Sequence, residues 1–226
     1  MREFFEKENI KLNSLQEERF EKYYRILLEY NERFNITAIT DREEVIKKHF
    51  IDSALGVDKL VGNKLIDVGS GGGFPAIPLK IMKEDLSVTL VESTGKKCEF
   101  LKAVVKELNL TDVFVINARA EEIAKEKEYR ENFSICTARA VARLNTLLEY
   151  TLPLVKKGGI FLAYKGDADE EIKEAKNALT VLGGEILDVC KYELDGAKRA
   201  LITVKKVKNT PSEYPRGNGK ERKKPL

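Results

Sequence analysis

The chain has 226 residues, of which 42% are hydrophobic and 34% are charged, so it is long enough to bury one core and is not disordered throughout. It contains no apolar run near the roughly 18 residues of a membrane-spanning helix, and its charged first residues lack the apolar stretch of a signal peptide. The three cysteines, Cys98, Cys136 and Cys190, are widely spaced and form no C-x-x-C pair, which indicates neither a disulfide framework nor a metal site. We therefore expect a protein of the reducing cytoplasm.

The net charge of +3 is unevenly distributed along the chain. Residues 208–226 carry six basic and two acidic side chains, whereas residues 1–207 are nearly neutral. Three prolines and two glycines predict that residues 208–226 form an irregular basic tail rather than a helix. Such a tail is a candidate for phosphate binding, because each neutralised phosphate releases counterions; the alternative is a merely solvated terminus.

Residues 1–62 predict a helical extension. A capping-box pattern, SLQE at 14–17, is followed by apolar side chains at spacings of three and four from Leu15 to Phe34, as in an amphipathic helix. A second helix start, TDRE at 40–43, precedes Val45, Ile46 and Phe50. No strand pattern occurs before Lys64.

Strand and helix patterns alternate from residue 63 to residue 207, which we interpret as one α/β domain. Apolar, β-rich runs lie at 64–68, 87–91, 113–116, 133–137, 160–164, 185–194 and 199–206, with helical patterns between most of them. Alternation at this spacing favours βαβ units in a mostly parallel seven-stranded sheet with helices on both faces. The last two strands, joined by Asp195-Gly196, predict an antiparallel hairpin. The extension, this domain and the tail are expected to form one globular unit.

The loop after the first strand carries the strongest functional pattern. The segment IDVGSGGGFP (66–75) lies where ligands bind in doubly wound folds, at the carboxyl end of a strand. A dinucleotide fingerprint requires a glycine at the sixth position, which is Phe74 here. Spacing of the form D-x-G-x-G-x-G instead predicts a loop for S-adenosylmethionine of the class I, Rossmann-like methyltransferases, with candidate cofactor-binding residues Asp67, Gly69, Gly71, Gly73 and Phe74.

Two further patterns follow the next two strands. Glu92 ends the second strand, 25 residues after Asp67, where a carboxylate can accept hydrogen bonds from ribose hydroxyls. Ala120 and Glu121 follow the third strand, where an adenine would be held. Each pattern alone is ordinary, since a strand-terminal glutamate is often solvated and the Ala-Glu-Glu stretch resembles a plain helix start. Their order on one rim of one sheet favours a cofactor site.

Beyond the loop, the chain closely resembles the bacterial 16S ribosomal RNA guanine-N7 methyltransferase family RsmG, also called GidB. The resemblance spans nearly the whole chain and is carried by the segments YNERFNITAI (30–39), HFIDS (49–53), DVGSGGGFP (67–75), ES (92–93), TARAVA (137–142), YKG (164–166), TPSEYPR (210–216) and KPL (224–226). The chain departs from the family pattern at Ala76, where glycine is usual, and at Gly219-Lys220, where Gly-x-Pro is more usual.

The resemblance implies a function and a set of residue roles. It implies methylation of N7 of a guanine in the 16S ribosomal RNA of the small ribosomal subunit, at nucleotide 527. It also implies that the enzyme is a monomer and that its cofactor is S-adenosylmethionine. By matching position, Gly69 and Phe74 would line the methionine side of the cofactor, and Glu92 would face its ribose. Ala120 and Glu121 would flank the adenine. Arg139 would lie beside the cofactor and the target base and is the predicted catalytic residue.

Guanine N7 has a free lone pair, so its methylation needs no general base. This agrees with a chain that has one histidine and no nucleophile-base triad. Arg139 suits a base or a phosphate, with a plain ion pair as the alternative. His49 is a candidate RNA contact, although a lone histidine on an amphipathic helix is more often a packing residue. The other candidate RNA contacts are Lys165, Arg216, Arg222, Lys223 and Lys224.

Three other functions remain open at this stage. A methyltransferase for a small molecule or a protein is disfavoured by the helical extension and the basic tail, which small metabolites do not require. A non-catalytic RNA-binding protein is disfavoured by the intact glycine loop and Glu92. A nicotinamide-dependent oxidoreductase is disfavoured by Phe74 and by the absence of an evident acid or base for hydride transfer.

Overall fold

The N-terminal extension is helical, as predicted, in a computed structural model that describes residues 1–226. It contains α1 (Arg2–Lys7) and the long helix α2 (Ser14–Phe34). The predicted capping box is wrong by one residue: the side chain of Asn13 accepts the N–H of Gln16, and the side chain of Gln16 accepts the N–H of Asn13, both at 2.9 Å. Asn13 lies in extended backbone and therefore serves as the cap.

The second predicted helix begins after Asp41, whose carboxylate accepts the N–H of Glu44 at 3.0 Å. It starts as α3 (Arg42–Val45), continues through π-helical turns over Ile46–Ile51 and ends as α4 (Asp52–Ala54). The wider turns coincide with His49 and precede Asp52. π-Helical turns of this kind are frequent at functional sites.

The α/β prediction is confirmed. Seven strands form one sheet in the order β3-β2-β1-β4-β5-β7-β6. All neighbours from β3 to β5 are parallel, and β7 is antiparallel to both β5 and β6. The strands are β1 (Lys64–Val68), β2 (Ser87–Glu92), β3 (Val113–Asn117), β4 (Phe133–Arg139), β5 (Val155–Lys165), β6 (Gly184–Leu194) and β7 (Ala197–Lys206).

Helices cover both faces of the sheet. They are α5 (Ala76–Met82), α6 (Gly95–Glu107), α7 (Ala120–Ile123), α8 (Leu144–Thr151), α9 (Asp169–Glu174) and α10 (Lys176–Leu182). Successive side chains of a strand point to opposite faces, so Leu65 enters one core and Ile66 the other. The first core contains α2, α5 and α6, and the second contains α8 and α10.

The N-terminal extension and the sheet share the first core. Phe20 and Tyr23 of α2 are fully buried and pack with Phe50, while Tyr23 also stacks on Phe74. Burying an aromatic side chain of this size contributes about 1.5–3 kcal/mol. The predicted boundary near residue 62 thus separates helices from sheet but does not separate their cores.

The C-terminal segment is more ordered than the sequence predicts. Residues 208–226 contain one helical turn, α11 (Lys220–Lys223), and four members of the segment are buried: Thr210, Pro215, Gly217 and Glu221. A second difference lies at β5, which starts at Val155 rather than at Ile160. Gly158, with a φ of +85°, lets the strand continue through the predicted turn. None of the helices combines the length and the apolar composition that a membrane-spanning helix requires.

Candidate active site

The glycine loop joins β1 to α5 and turns back over the end of β2. The N–H groups of Gly69 and Ser70 donate to the carbonyl of Val91 at 2.9 and 3.1 Å. Gly69 has a φ of +69°, and a Cβ there would lie 2.7 Å from the Val141 side chain. Glycine is therefore required for both the conformation and the close packing. A Cβ at Gly71 would meet nothing closer than 3.8 Å, so this part of the loop borders open space.

Glu92 ties the loop to the end of β2. One carboxylate oxygen accepts the N–H of Gly71 at 2.9 Å, and the other accepts the N–H of Thr94 at 2.8 Å. The residue is buried. A carboxylate oxygen accepts more than one hydrogen bond, so each oxygen keeps a position for a ligand hydroxyl. The loop and Glu92 hold each other in place before any ligand binds.

Asp67 lies beneath the loop and is fully buried. One carboxyl oxygen accepts the Thr137 hydroxyl of β4 at 2.7 Å, and the other has no hydrogen-bond partner. Burial raises the pKa of Asp67 to about 7, although the hydrogen bond from Thr137 opposes that rise. The buried, unpartnered oxygen is a group that a ligand N–H could satisfy.

A cavity of about 180 Å³ lies beside the loop, and we call it the loop cavity. Gly69, Ala120 and Glu121, three of the predicted cofactor residues, line it together. Among its other walls, Arg222 was predicted only as an RNA contact. Ser93 and Val141 lie inside the family segments, but Tyr150 comes from α8 and carries no sequence signal.

Arg139, at the end of β4, is held on three sides. Its guanidinium donates to the carboxylate of Asp52 at 2.9 Å and to the carbonyl of Lys48 at 3.1 Å, and it lies 3.2 Å from Nδ1 of His49. Its carbon lies 5.0 Å from the centre of the Phe74 ring. The side chain is only 14% exposed. The predicted ion-pair alternative is therefore present, but it fixes the guanidinium at the ligand-binding rim.

His49 is neutral in this arrangement. Burial and the neighbouring Arg139 lower its pKa to about 3. Nδ1 of His49 lies near both the Arg139 guanidinium, at 3.2 Å, and the Lys48 carbonyl, at 3.3 Å. Because a guanidinium can only donate, we assign the tautomer in which Nδ1 accepts from Arg139 and Nε2 donates to the Thr37 hydroxyl at 2.9 Å. The ring also stacks on Phe74, with centroids 4.5 Å apart. His49 thus positions Arg139 and Phe74 and is a poor proton acceptor.

A second cavity, of about 430 Å³, lies next to Arg139, and we call it the arginine cavity. Four cationic and three acidic side chains line it: Lys48, Arg139, Lys165, Arg199, Asp52, Asp167 and Glu171. Lys165 is already paired with Glu171 at 2.7 Å and donates to the carbonyl of Ala142 at 2.8 Å. The sequence did not indicate Arg199, whose Nε has no hydrogen-bond partner.

Ala140 lies between the two cavities in the chain. It has a φ of +57°, which is uncommon for a residue with a Cβ and is found most often at functional sites. Arg139 before it lines the arginine cavity, and Val141 after it lines the loop cavity. This turn therefore divides the rim of the sheet into two adjoining sites.

The four basic candidates of the C-terminal segment have different surroundings. Arg216 pairs with the fully buried carboxylate of Glu149 at 2.7 Å. Arg222 lines the loop cavity. Lys223 and Lys224 are exposed to solvent. Arg216 and Arg222 thus contact the protein body, although Arg222, like Lys223 and Lys224, is exposed.

The residues at the loop fit S-adenosylmethionine. The open side of Gly71, the remaining acceptor positions of Glu92 and the unpartnered oxygen of Asp67 supply space and polar groups for an amino acid linked to a nucleoside. A mostly parallel sheet with this loop after β1 and an acid after β2 defines a Rossmann-like, S-adenosylmethionine-dependent methyltransferase.

Comparisons with known proteins agree with that class and refine it. A precorrin-6y C5,15-methyltransferase from Geobacter metallireducens matches 74% of this chain and 90% of its own, with a TM-score of 0.53 at 14% identity. A 16S rRNA (adenine(1408)-N(1))-methyltransferase from Catenulisporales acidiphilia matches 71% and 92%, with a TM-score of 0.53 at 13% identity. At these identities the likeness concerns the fold alone.

Sequence relatives define the family. The family model described as rRNA small subunit methyltransferase G matches residues 16–202. The ribosomal RNA small subunit methyltransferase G of Desulfitobacterium hafniense is 50% identical over 96% of this chain and 92% of its own length. That of Clostridium botulinum is 48% identical over 96% and 93%. The chain belongs to the rRNA small subunit methyltransferase G family, also known as GidB or RsmG.

Proposed function

We propose that this enzyme transfers a methyl group from S-adenosylmethionine to N7 of a guanine in 16S ribosomal RNA, with nucleotide 527 as the expected position. The observation that carries the proposal is the arginine cavity, which offers cationic donors but no free base. His49 is neutral with a pKa of about 3, and each lining carboxylate faces a cation: Asp52 faces Arg139, Glu171 faces Lys165, and the exposed Asp167 faces Lys198 at 3.8 Å.

This lack of a base matches the chemistry of N7. Guanine N7 carries an in-plane lone pair and no proton, whereas an exocyclic amine or a hydroxyl must lose one. When bound, S-adenosylmethionine supplies an electrophilic methyl group on a sulfonium. The protein then has to hold N7 about 3 Å from that methyl group, in line with the leaving sulfur. A site built from packed donors, such as Arg139, meets that requirement.

We propose that the residues on the loop side, together with Arg139 of the arginine cavity, hold the cofactor. They are Asp67, Gly69, Gly71, Gly73, Phe74, Glu92, Ala120, Glu121 and Arg139. Gly69, Ala120 and Glu121 share the loop cavity, and Glu92 lies against Gly71. Arg139 is proposed to contact the target base as well, because a guanidinium can donate two parallel hydrogen bonds to a guanine edge or stack on the ring.

The proposed RNA contacts fall in two places. Lys165 and Arg199 line the arginine cavity beside the neutral His49. Lys223 and Lys224 are exposed and suit phosphate contacts outside it. We no longer propose an RNA contact for Arg216, because its guanidinium is engaged by the buried Glu149.

The test is methylation of small ribosomal subunits from cells that lack this protein. We expect about one methyl group per subunit, found as N7-methylguanine at the predicted nucleotide, and none in subunits from the parent cells, which already carry the modification. Subunits reconstituted with 7-deazaguanine at that nucleotide are the matched control, because a carbon atom replaces N7. Methylation of these subunits would contradict the proposal.

Two other outcomes would identify a different function. Cofactor binding without methylation of any ribosomal particle would favour a small-molecule or protein substrate. RNA binding without cofactor binding would favour a non-catalytic RNA-binding protein. We also propose that the enzyme acts as a monomer in the cytoplasm, as the family resemblance implies; sedimentation at micromolar concentration tests the monomer.

A further inference from the structure

The segment 208–226, which we call the C-terminal strap, is fastened to the protein body at its start. The guanidinium of Arg130 donates to the carbonyl of Tyr214 at 2.8 Å and to the carbonyls of Thr210 and Pro211, each at 3.0 Å. One charged side chain therefore satisfies three carbonyls of the strap. This fixes the path of the chain from residue 210 to residue 214.

A second set of contacts fastens the strap to α8. Arg216 donates to the carboxylate of Glu149 through both its backbone N–H, at 2.8 Å, and its guanidinium. Glu221 is fully buried, its carboxylate accepts the N–H of Gly217, and its carbonyl accepts the Thr146 hydroxyl at 3.1 Å. These contacts hold α11 against the body.

The strap thereby reaches the loop cavity. Gly219 and Arg222 line this cavity together with Ala120 and Glu121. Arg222 also lies beside the phenol of Tyr150, which lines the same cavity. Unlike Arg216, Arg222 has no carboxylate partner, so its guanidinium is available to a ligand.

We propose that the C-terminal strap is a wall of the cofactor's adenosine site and that Arg222 is a further cofactor-binding residue. A guanidinium stacks on the faces of aromatic rings, and an adenine offers such a face and ring nitrogens that accept hydrogen bonds. The inference depends on the cofactor class and is independent of which RNA nucleotide is methylated. It also replaces the predicted RNA contact at Arg222.

The test compares Arg222→Ala with Lys220→Ala by calorimetry in the absence of RNA. Lys220 is exposed on the same helical turn and does not line the cavity, so its variant makes the same charge change. We expect Arg222→Ala to weaken binding of S-adenosylmethionine, S-adenosylhomocysteine and 5′-methylthioadenosine by about fivefold to tenfold each, the effect of one contact of about 1 kcal/mol or slightly more. Lys220→Ala should stay within about twofold of the wild type.

The three ligands share an adenosine but differ in the amino-acid end, so comparing them shows which part of the cofactor Arg222 contacts. Unchanged dissociation constants for all three would overturn the proposal, and a loss of RNA affinity alone would return Arg222 to the RNA surface. Weaker binding of the two amino-acid ligands only would place Arg222 at the methionine end. Equal losses in both variants would indicate a general charge effect. Melting temperatures without ligand verify that the variants are folded.

Discussion

The buried carboxyl group of Asp67 makes the stability of the fold depend on pH. Its pKa is raised from 3.8 to about 7, so between these values the folded protein holds a proton that the unfolded chain has lost. The free energy of unfolding then decreases as the pH rises through this window. Asp67→Asn removes the ionisation but keeps an oxygen that can accept the Thr137 hydroxyl.

We expect the free energy of unfolding of Asp67→Asn, measured relative to that of the wild type, to increase as the pH rises from about 4 to about 8. The increase should be at most about 4 kcal/mol. Urea unfolding of the cofactor-free proteins measures this difference. The control is Asp188→Asn, an exposed carboxylate whose pKa Lys59 lowers, so that its variant should show no change between about pH 5 and about pH 8. A pH-independent difference for Asp67→Asn would mean that Asp67 is charged in the folded state.

The several N–H donors of the Arg139 guanidinium are expected to contribute more to the methylation rate than its positive charge does. Lysine at this position keeps a cation beside Asp52 but cannot bond to Asp52, the Lys48 carbonyl and His49 together. We expect Arg139→Lys to slow methylation of small subunits by about 100-fold, since a small misplacement of a reacting group has that cost. Cofactor affinity should fall by less.

Single-turnover methylation and calorimetry give the two quantities separately. Arg143→Lys is the matched control, because Arg143 pairs with Glu174 at the surface, with the two side chains 56% and 47% exposed. Its methylation rate should stay within about twofold of the wild type. Equal rates for Arg139→Lys and the wild type would show that charge alone suffices.

At the scale of elements, the glycine loop depends on space as well as on conformation. Gly73 and Gly158 both have a φ of +85°. A Cβ at Gly73 would lie 2.5 Å from Cδ1 of Ile77 and 2.6 Å from the Tyr23 hydroxyl, whereas a Cβ at Gly158 would meet nothing within 4 Å. The two positions therefore separate the cost of the left-handed conformation from the cost of crowding.

We expect Gly158→Ala to lower the free energy of unfolding by about 1 kcal/mol and Gly73→Ala by at least about 3 kcal/mol. Only Gly73→Ala should also weaken cofactor binding, because Tyr23 bonds to the neighbouring Gly72 carbonyl and stacks on Phe74. Urea unfolding and calorimetry measure both effects. Similar losses in the two variants would show that the loop yields to the added methyl group.

The elements could be predicted from the sequence because their patterns are local. β1, β2 and β3 are short apolar runs with turn residues on either side, and the hairpin of β6 and β7 has its Asp195-Gly196 turn. Helix and strand ends were less predictable. Asn13 caps α2 because its backbone is extended there. Asparagine and serine are both good helix caps, so the sequence alone did not show whether Asn13 or Ser14 is the cap.

The candidate site was predictable only where it follows a strand end. Gly69, Ala120 and Glu121 do so, and they meet in one cavity. Asp52 pairs with Arg139 from 87 residues away, and Arg222 reaches the loop from the other end of the chain. Such partners depend on how α4 and the strap pack, and no local pattern of charge or spacing encodes that packing.

At the scale of the whole molecule, both ends of the chain complete the site. The N-terminal extension supplies His49 and Asp52 to Arg139, and the C-terminal strap supplies a wall of the loop cavity. One of the contacts that hold the strap is Arg216 on Glu149, an ion pair whose carboxylate is fully buried and whose guanidinium is 24% exposed. Removing the charge of Glu149 would leave the arginine without its partner.

We expect Glu149→Gln to weaken attachment of the strap by about 2 kcal/mol, below the value for fully buried pairs because Arg216 is partly exposed. Trypsin should then cleave after the basic residues of 208–226 at least about tenfold faster, as followed by intact mass. Glu213→Gln is the control, since Glu213 is an exposed carboxylate of the same segment. Cleavage at the wild-type rate would show that the other contacts, such as those of Arg130 and Glu221, hold the strap without this ion pair.

The cofactor should reverse this effect if the strap lines its site. A ligand that binds only the attached form stabilises it in proportion to the logarithm of its concentration over the dissociation constant, about 2.7 kcal/mol at a hundredfold excess. S-adenosylmethionine should therefore slow cleavage of the strap in both the wild type and Glu149→Gln. Protection of the body but not of residues 208–226 would mean that the strap and the cofactor bind independently.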